Sequence, residues 1–232
     1  MSRLSLTTAA IALAAAASPA AAQEAFSITD TSGYLMEADA EVAMARSAAP
    51  AHISDDASVL TLSADGTYQT AEEGSNGWTC FVGRSWTGPA PYVDGRRAWQ
   101  AGHFHAELRA PQCFNAEATG SHLAMHRIST YGFMNGADSN QVDMMIGNAL
   151  ASGAIQPPEH GAMSYMYSPQ QILQPGGQRF FPHLMLYMPY ATQDDFGPRD
   201  ANMTVPMVTD AGSIFATTVI MSPLWSDGTP VQ

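Results

Sequence analysis

The chain contains no lysine. Its nine basic residues are all arginines, set against twenty-one acidic ones, and the formal charge is −12. Phosphate neutralisation needs a basic surface, so a nucleic-acid partner is excluded and binding to anionic lipid is disfavoured. Cysteine is almost as scarce. Cys80 and Cys113 are the only two, and no C-x-x-C is present, which argues against a thioredoxin-like redox site. Charged residues amount to 13% and hydrophobic ones to 46%, a balance that rules out a disordered chain. Beyond the first twenty residues no apolar run approaches a membrane span. The short catalytic signatures are also missing: there is no G-x-S-x-G, H-E-x-x-H, Walker A, G-x-G-x-x-G or EF-hand loop. Ser85 in Gly83-Arg84-Ser85-Trp86-Thr87-Gly88 and Ser164 in Gly161-Ala162-Met163-Ser164-Tyr165 both have the wrong spacing for a nucleophile elbow.

What is present begins with an export address. Arg3 supplies a positive start, Leu4 to Ala17 is a short apolar run, and Ala20-Ala21-Ala22 gives the small-residue pattern of a cleavage site. Residues 1–22 are therefore expected to be a signal peptide and residues 23–232 a single domain, periplasmic or secreted. Losing Arg3 with the leader makes the remaining chain −13. No cysteine lies near the cleavage site for lipid attachment, so no stable membrane insertion is expected after the leader is removed. Two cysteines in an oxidising compartment predict one disulfide, Cys80–Cys113.

Periodicity predicts a first helix over Thr31–Pro50, with Leu35, Ala38, Val42 and Ala45 on one face. A hairpin is expected over Ser58–Thr70, turning at Ala64-Asp65-Gly66, followed by a strand over Gly77–Val82. The stretch 83–112, rich in Gly, Pro and aromatics, shows no period and reads as a long loop tied down by the disulfide. Asn115 is expected to cap a helix running to Tyr131. A second helix starts at Asp138 or Ser139 and carries Val142, Met145, Ile146, Ala149 and Leu150 on one face; it ends at Gly153. Strands follow over Ala162–Tyr167, Leu184–Met188 and Ser213–Met221. The order of elements predicts an α+β fold, a mostly antiparallel sheet packed with about three helices.

Histidine carries the candidate chemistry. His103 and His105 straddle Phe104, so an extended backbone points both the same way. His122 and His126 stand four apart on a predicted helix, a spacing that suits a zinc or copper ion. The helical wheel puts Ala124, Ile128 and Tyr131 on the apolar side and leaves His122 and His126 facing solvent, and no metal or other cofactor is assigned. His183 opens an apolar strand, where it is either a general base or a hydrogen-bonded residue at the edge of the core. Met145, Met163, Met166, Met185 and Met188 fall at expected core positions rather than forming a copper site. Trp86, Tyr92 and Trp99 in the loop, with Trp78 just before it, either line a ligand groove or fold back as a small core, with burial favoured. The neighbouring carboxylates Asp55-Asp56, Glu72-Glu73 and Asp194-Asp195 do not form a facing catalytic pair.

Four stretches resemble an uncharacterised family of secreted bacterial proteins: Arg46-Ser47-Ala48-Ala49-Pro50, Gly74-Ser75-Asn76-Gly77-Trp78-Thr79-Cys80, Arg109-Ala110-Pro111-Gln112-Cys113-Phe114 and Pro182-His183-Leu184-Met185-Leu186-Tyr187-Met188-Pro189. The resemblance implies a single secreted domain and carries over no activity and no functional residue. Against that pattern, Gly88 to Glu107 looks like an insertion.

Three readings follow. The first is a non-enzymatic binding or envelope-accessory module, whose partner is a small molecule or an envelope component. The second is a hydrolase of envelope material, in which His183 contacts a carboxylate or hydroxyl beside a cleft. The third is a copper or zinc protein, which requires at least three of His103, His105, His122 and His126 to converge.

Overall fold

The expected hairpin forms one edge of an eight-stranded sheet. β1 (Ser58–Leu62) pairs antiparallel with β2 (Tyr68–Glu72), and Gly66 takes the left-handed conformation that the turn requires (φ 82°). The computed structural model describes residues 24–87, 97–200 and 202–231; the expected leader, Tyr92 and the rest of 88–96 lie outside them. The remaining strands are β3 (Thr79–Gly83), β4 (Ala110–Phe114), β5 (Met163–Met166), β6 (His183–Tyr187), β7 (Met207–Thr209) and β8 (Thr217–Met221). Their spatial order is β2-β1-β3-β4-β5-β6-β8-β7, with every pair antiparallel except β1–β3. The α+β architecture and mostly antiparallel sheet are as expected.

Successive side chains on a strand point to opposite faces, so the sheet has two. Val59, Cys80, Val82 and Cys113 form one, and Ala45, Ala48 and Ala49 pack against it. Alanine's small side chain lets helix α1 (Ala38–Arg46) lie close to the strands. The predicted first helix is shorter than expected and broken. Glu37 is extended (ψ 136°), so α1 begins only at Ala38, and a short α2 (Ala51–Ser54) follows Pro50. The other face carries Leu60, Leu62, Phe81, Phe114 and Tyr187 against a second helical layer. That layer begins with α3 (Ala116–Ala118), passes through one π turn at Thr119–Leu123, continues as α4 (Ala124–Met134) and ends with α5 (Ser139–Ser152).

Helix α5 obeys its local signals. Asp138 accepts a hydrogen bond from the Gln141 amide at 2.9 Å, while the Gln141 side chain accepts from the Asp138 amide at 2.8 Å, a complete capping box. Gly153 closes the helix with φ 77°. Gly132 does not end α4 as expected. Its missing side chain admits α5: a Cβ there would lie 2.8 Å from Cγ2 of Val142. No described helix is long and apolar enough to cross a membrane.

The predicted loop 83–112 is partly corrected. Its described part holds a 3-10 turn at Ala98–Ala101, and strand β4 already starts at Ala110. Cys80 and Cys113 are direct partners across β3 and β4, with Cα atoms 3.9 Å apart, and form the disulfide. The bond therefore staples two adjacent strands that flank the long connection. Replacing both cysteines with alanine is expected to lower stability by about 3–4 kcal/mol on the chain-entropy argument for a loop of this size. The check is the urea midpoint of the double variant; an unchanged midpoint would show that the cross-link does not constrain the unfolded chain.

Trp86 and Trp99 are buried in the main core rather than in a separate small one, beside Tyr34 and Phe133. Of the methionines expected in the core, Met166 is buried and Met145, Met163 and Met185 half-buried, but Met188 is exposed just past the end of β6.

Candidate functional site

The register of the last strands builds a continuous floor. Met166 lies opposite His183, and His183 opposite Met221. Two residues along, Met185 lies opposite Val219 and Val219 opposite Met207. Tyr187, Thr217 and Thr209 form the next row. All these side chains share the face that looks toward the second helical layer. Above the floor stand His122, Met125 and His126, and between the layers lies a cavity of about 400 Å³. Its walls come from Leu108, the stretch Leu173–Pro175, Phe180 and the segment holding His103 and His105. The volume falls within the range of small-molecule sites.

The helical wheel misplaced two of these residues. His122 and His126 are buried, 3% and 4% exposed, whereas Tyr131, expected on the apolar face, is 47% exposed. The buried side of α4 is built from Met125, His126, Ser129, Thr130 and Phe133. Its hydroxyls are satisfied internally. Ser129 donates to the His126 carbonyl at 3.1 Å, and the Trp86 indole N–H donates to Thr130 Oγ1 at 2.8 Å. Once their hydrogen bonds are met, Ser and Thr cost little to bury, and a face that reads as polar becomes interior.

The three buried histidines differ in what their ring nitrogens do. His122 stacks on Tyr187 with ring centroids 3.6 Å apart, and Tyr187 is fixed by a 2.5 Å hydrogen bond between its hydroxyl and that of Ser164. The His122 Nε2 lies 3.3 Å from the Phe215 carbonyl, which can only accept, so this nitrogen donates; Nδ1 is buried without a partner. His126 has Nδ1 buried without a partner, and its ring packs near Phe81 and Phe114. His183 donates from Nδ1 to the Phe181 carbonyl at 2.7 Å. Burial pushes the imidazole of His126 down to about 3, helped by the Arg97 charge. It pushes that of His183 down to about 4, opposed by the Phe181 carbonyl. His122 is held well below its ordinary value, by burial first and His126 second. All three are neutral at pH 7.

Charge at the cavity is paired. Arg84 is fully buried; its Nη2 donates to Glu41 Oε1 at 2.7 Å, its Nε to the Tyr34 carbonyl at 2.6 Å and its Nη1 to the Val82 carbonyl. Arg97 lies 3.7 Å from Asp210 and stands over the rings of Trp99 and Phe215 at 5.1 and 5.0 Å. Burial raises the Asp210 carboxyl, and Arg97 opposes that rise. Gln112, projecting from β4 onto the same face, is 3% exposed, and its carboxamide has no hydrogen-bond partner among the described residues.

His103, His105, His122, His126 and His183 thus all line one cavity, and the rings of His103 and His105 lie on the same side, 6.3 Å apart. They do not form a metal centre: among the described residues no three His, Cys, Asp or Glu side chains converge to hold an ion. The zinc or copper expectation loses its required geometry. The Nδ1 of His183 meets a backbone carbonyl rather than the carboxylate or hydroxyl that the hydrolase expectation named.

Sequence reasoning overlooked Gln112, Glu41, Arg84 and the Arg97–Asp210 pair. One signal was available. Glu41 falls within the Ala38–Val42–Ala45 stripe, and a carboxylate inside an apolar stripe requires a buried cation. No protein-family model, no curated protein and no solved structure matches the chain. The fold and site define an α+β domain with a ligand-sized cavity between its sheet and a helical layer.

Proposed function

We propose that this is an exported, non-enzymatic binding protein that holds one small, uncharged and largely apolar molecule between its sheet and helix α4. One observation carries the reading: Gln112 and His183, both deeply buried, keep unused hydrogen-bonding capacity among the described residues, in a cavity whose apolar walls include Met125, Met166, Met185, Leu108, Phe180 and Val219. Polar groups taken from water cost free energy unless they are partnered, and a guest molecule supplies the partners. Among the described residues, the cavity's Arg84 and Arg97 are each paired with a carboxylate, and the imidazoles of His126 and His183 are held neutral, so none of these four draws an ion. The alternation of apolar wall and few polar groups is the general character of small-molecule sites. Export is supported by the leader-like first 22 residues and by the disulfide.

The test uses N-phenyl-1-naphthylamine, an uncharged aromatic reporter whose emission rises in apolar surroundings. Titration is expected to give saturable one-to-one binding. A Val219→Trp substitution, which fills the floor, is expected to weaken that binding at least tenfold while far-UV circular dichroism is retained. Absence of saturable binding to the wild type, or full binding by a folded Val219→Trp variant, would overturn the proposal.

A further inference from the structure

We infer that the molecule held in this cavity presents a hydrogen-bond donor, a hydroxyl or an N–H, to Nε2 of His183. The inference rests on the binding reading above and narrows it to one ligand class, uncharged hydrophobic alcohols, phenols and N–H compounds, as against ethers, ketones and plain hydrocarbons.

The buried histidines differ in whether a proton is fixed. A neutral imidazole carries one N–H and one bare lone pair, and the hydrogen bond made by the first nitrogen decides the role of the second. His126 has no hydrogen bond that fixes its tautomer, so it can meet a ligand as donor or acceptor and selects neither. His122 spends its N–H on the Phe215 carbonyl, with Thr217 Oγ1 beside it at 3.4 Å, and its remaining nitrogen is buried against protein. His183 differs from both. The Phe181 carbonyl accepts from Nδ1 at 2.7 Å and has no proton to give, so the proton sits on Nδ1 and Nε2 is left as an acceptor. His183 lines the cavity, and Nε2 has no partner among the described residues. Phe180 packs edge-on against the ring with centroids 5.3 Å apart, and the strand fixes the backbone, so the acceptor is held in place.

Gln112 complements this without duplicating it. Continuing the β4–β5 register by one residue sets Gln112 opposite Met166, which itself lies opposite His183. The two polar side chains therefore rise from strands two apart, roughly 10 Å from each other given ordinary strand spacing. A carboxamide both donates and accepts, so it tolerates either kind of group at its end. At His183 the demand is for a donor: an ether or carbonyl oxygen placed there would face lone pair to lone pair and leave a buried acceptor unsatisfied.

Matched competitors test this. 2-Naphthol and 2-methoxynaphthalene share one ring system and differ in the O–H, and each is used to displace N-phenyl-1-naphthylamine from the full-length secreted protein at neutral pH. The naphthol is expected to compete at least tenfold more tightly. His183→Asn keeps a donor near the Phe181 carbonyl and removes the Nε2 acceptor; it is expected to abolish that preference. His183→Gln, whose side-chain oxygen reaches toward the Nε2 position, is expected to restore part of it. Equal displacement by both compounds from the wild type, or an undiminished preference in His183→Asn, overturns the inference and leaves the cavity reading standing. Failure of both compounds to displace the reporter, or of the reporter to bind, overturns both. The wild-type comparison stands by itself should a variant fail to fold.

Discussion

Acidification from pH 7 to pH 5 is expected to remove about 4 kcal/mol of folding stability through His126 and His183 alone, at about 1.4 kcal/mol per pH unit for each imidazole. The sign follows from proton counting. In the unfolded chain both rings take up a proton near pH 6.5, whereas in the folded protein burial holds them neutral down to about 3 and about 4. Between those limits the unfolded state binds more protons, so stability rises with pH through the window and falls as the solution is acidified. The contribution is fully present above pH 6.5 and drains away toward the folded values. His122, depressed for the same reason, acts in the same direction. Asp210 acts in the opposite direction, since its carboxyl is raised in the folded state and favours that state when protonated. A domain's whole stability is typically about 5–15 kcal/mol, so the loss is a large share. Urea midpoints at pH 7 and pH 5 measure it, and His126→Phe is expected to shrink the difference. Midpoints that coincide at the two pH values would show that these rings are not held neutral.

Glu41→Ala carries the second large effect, an expected destabilisation of about 3–5 kcal/mol. The substitution leaves the Arg84 guanidinium inside the core, at 0% side-chain exposure, with its carboxylate partner gone. The two backbone carbonyls that also accept from Arg84 do not neutralise its charge. Glu41→Gln retains an oxygen at 2.7 Å from Nη2 and is expected to cost less. Replacing both residues with methionine removes the two charges together and is expected to recover most of the loss, because desolvating an ion pair offsets much of its attraction. Denaturant titration of the single and double variants closes a mutant cycle. A Glu41→Ala variant as stable as the wild type would show that Arg84 reaches solvent.

Features fixed by neighbours in sequence were legible; features fixed by distant pairing were not. The β1–β2 hairpin followed from Ala64-Asp65-Gly66 between alternating residues, and α5 from Asp138, its apolar positions and Gly153. Strand β4 escaped because all five of its residues are buried, so no alternation marks it, and Pro111 and Gln112 disguise it as loop. Helix α4 was found but turned the wrong way. Hydropathy ranks Ser129, Thr130 and His126 with the surface, although Ser129 is satisfied within the helix and the partner of Thr130, the Trp86 indole, lies more than forty residues away in the chain. His183 and the paired cysteines drew attention from residue type and placement alone. The cavity could not be read at all. Its floor exists only once β5, β6, β8 and β7 are aligned, and that alignment is tertiary information.

Gln112 and Cys113 are consecutive on β4 and project to opposite sides of the sheet, one toward the cavity and one toward Cys80. The sulfur bridge behind the sheet thus clamps the very peptide unit from which the carboxamide springs. In the proposed binding role, a guest meeting that wall would find it already rigid and forfeit little entropy in ordering it, so that a covalent tie remote from the binding surface would sharpen recognition without touching what is recognised.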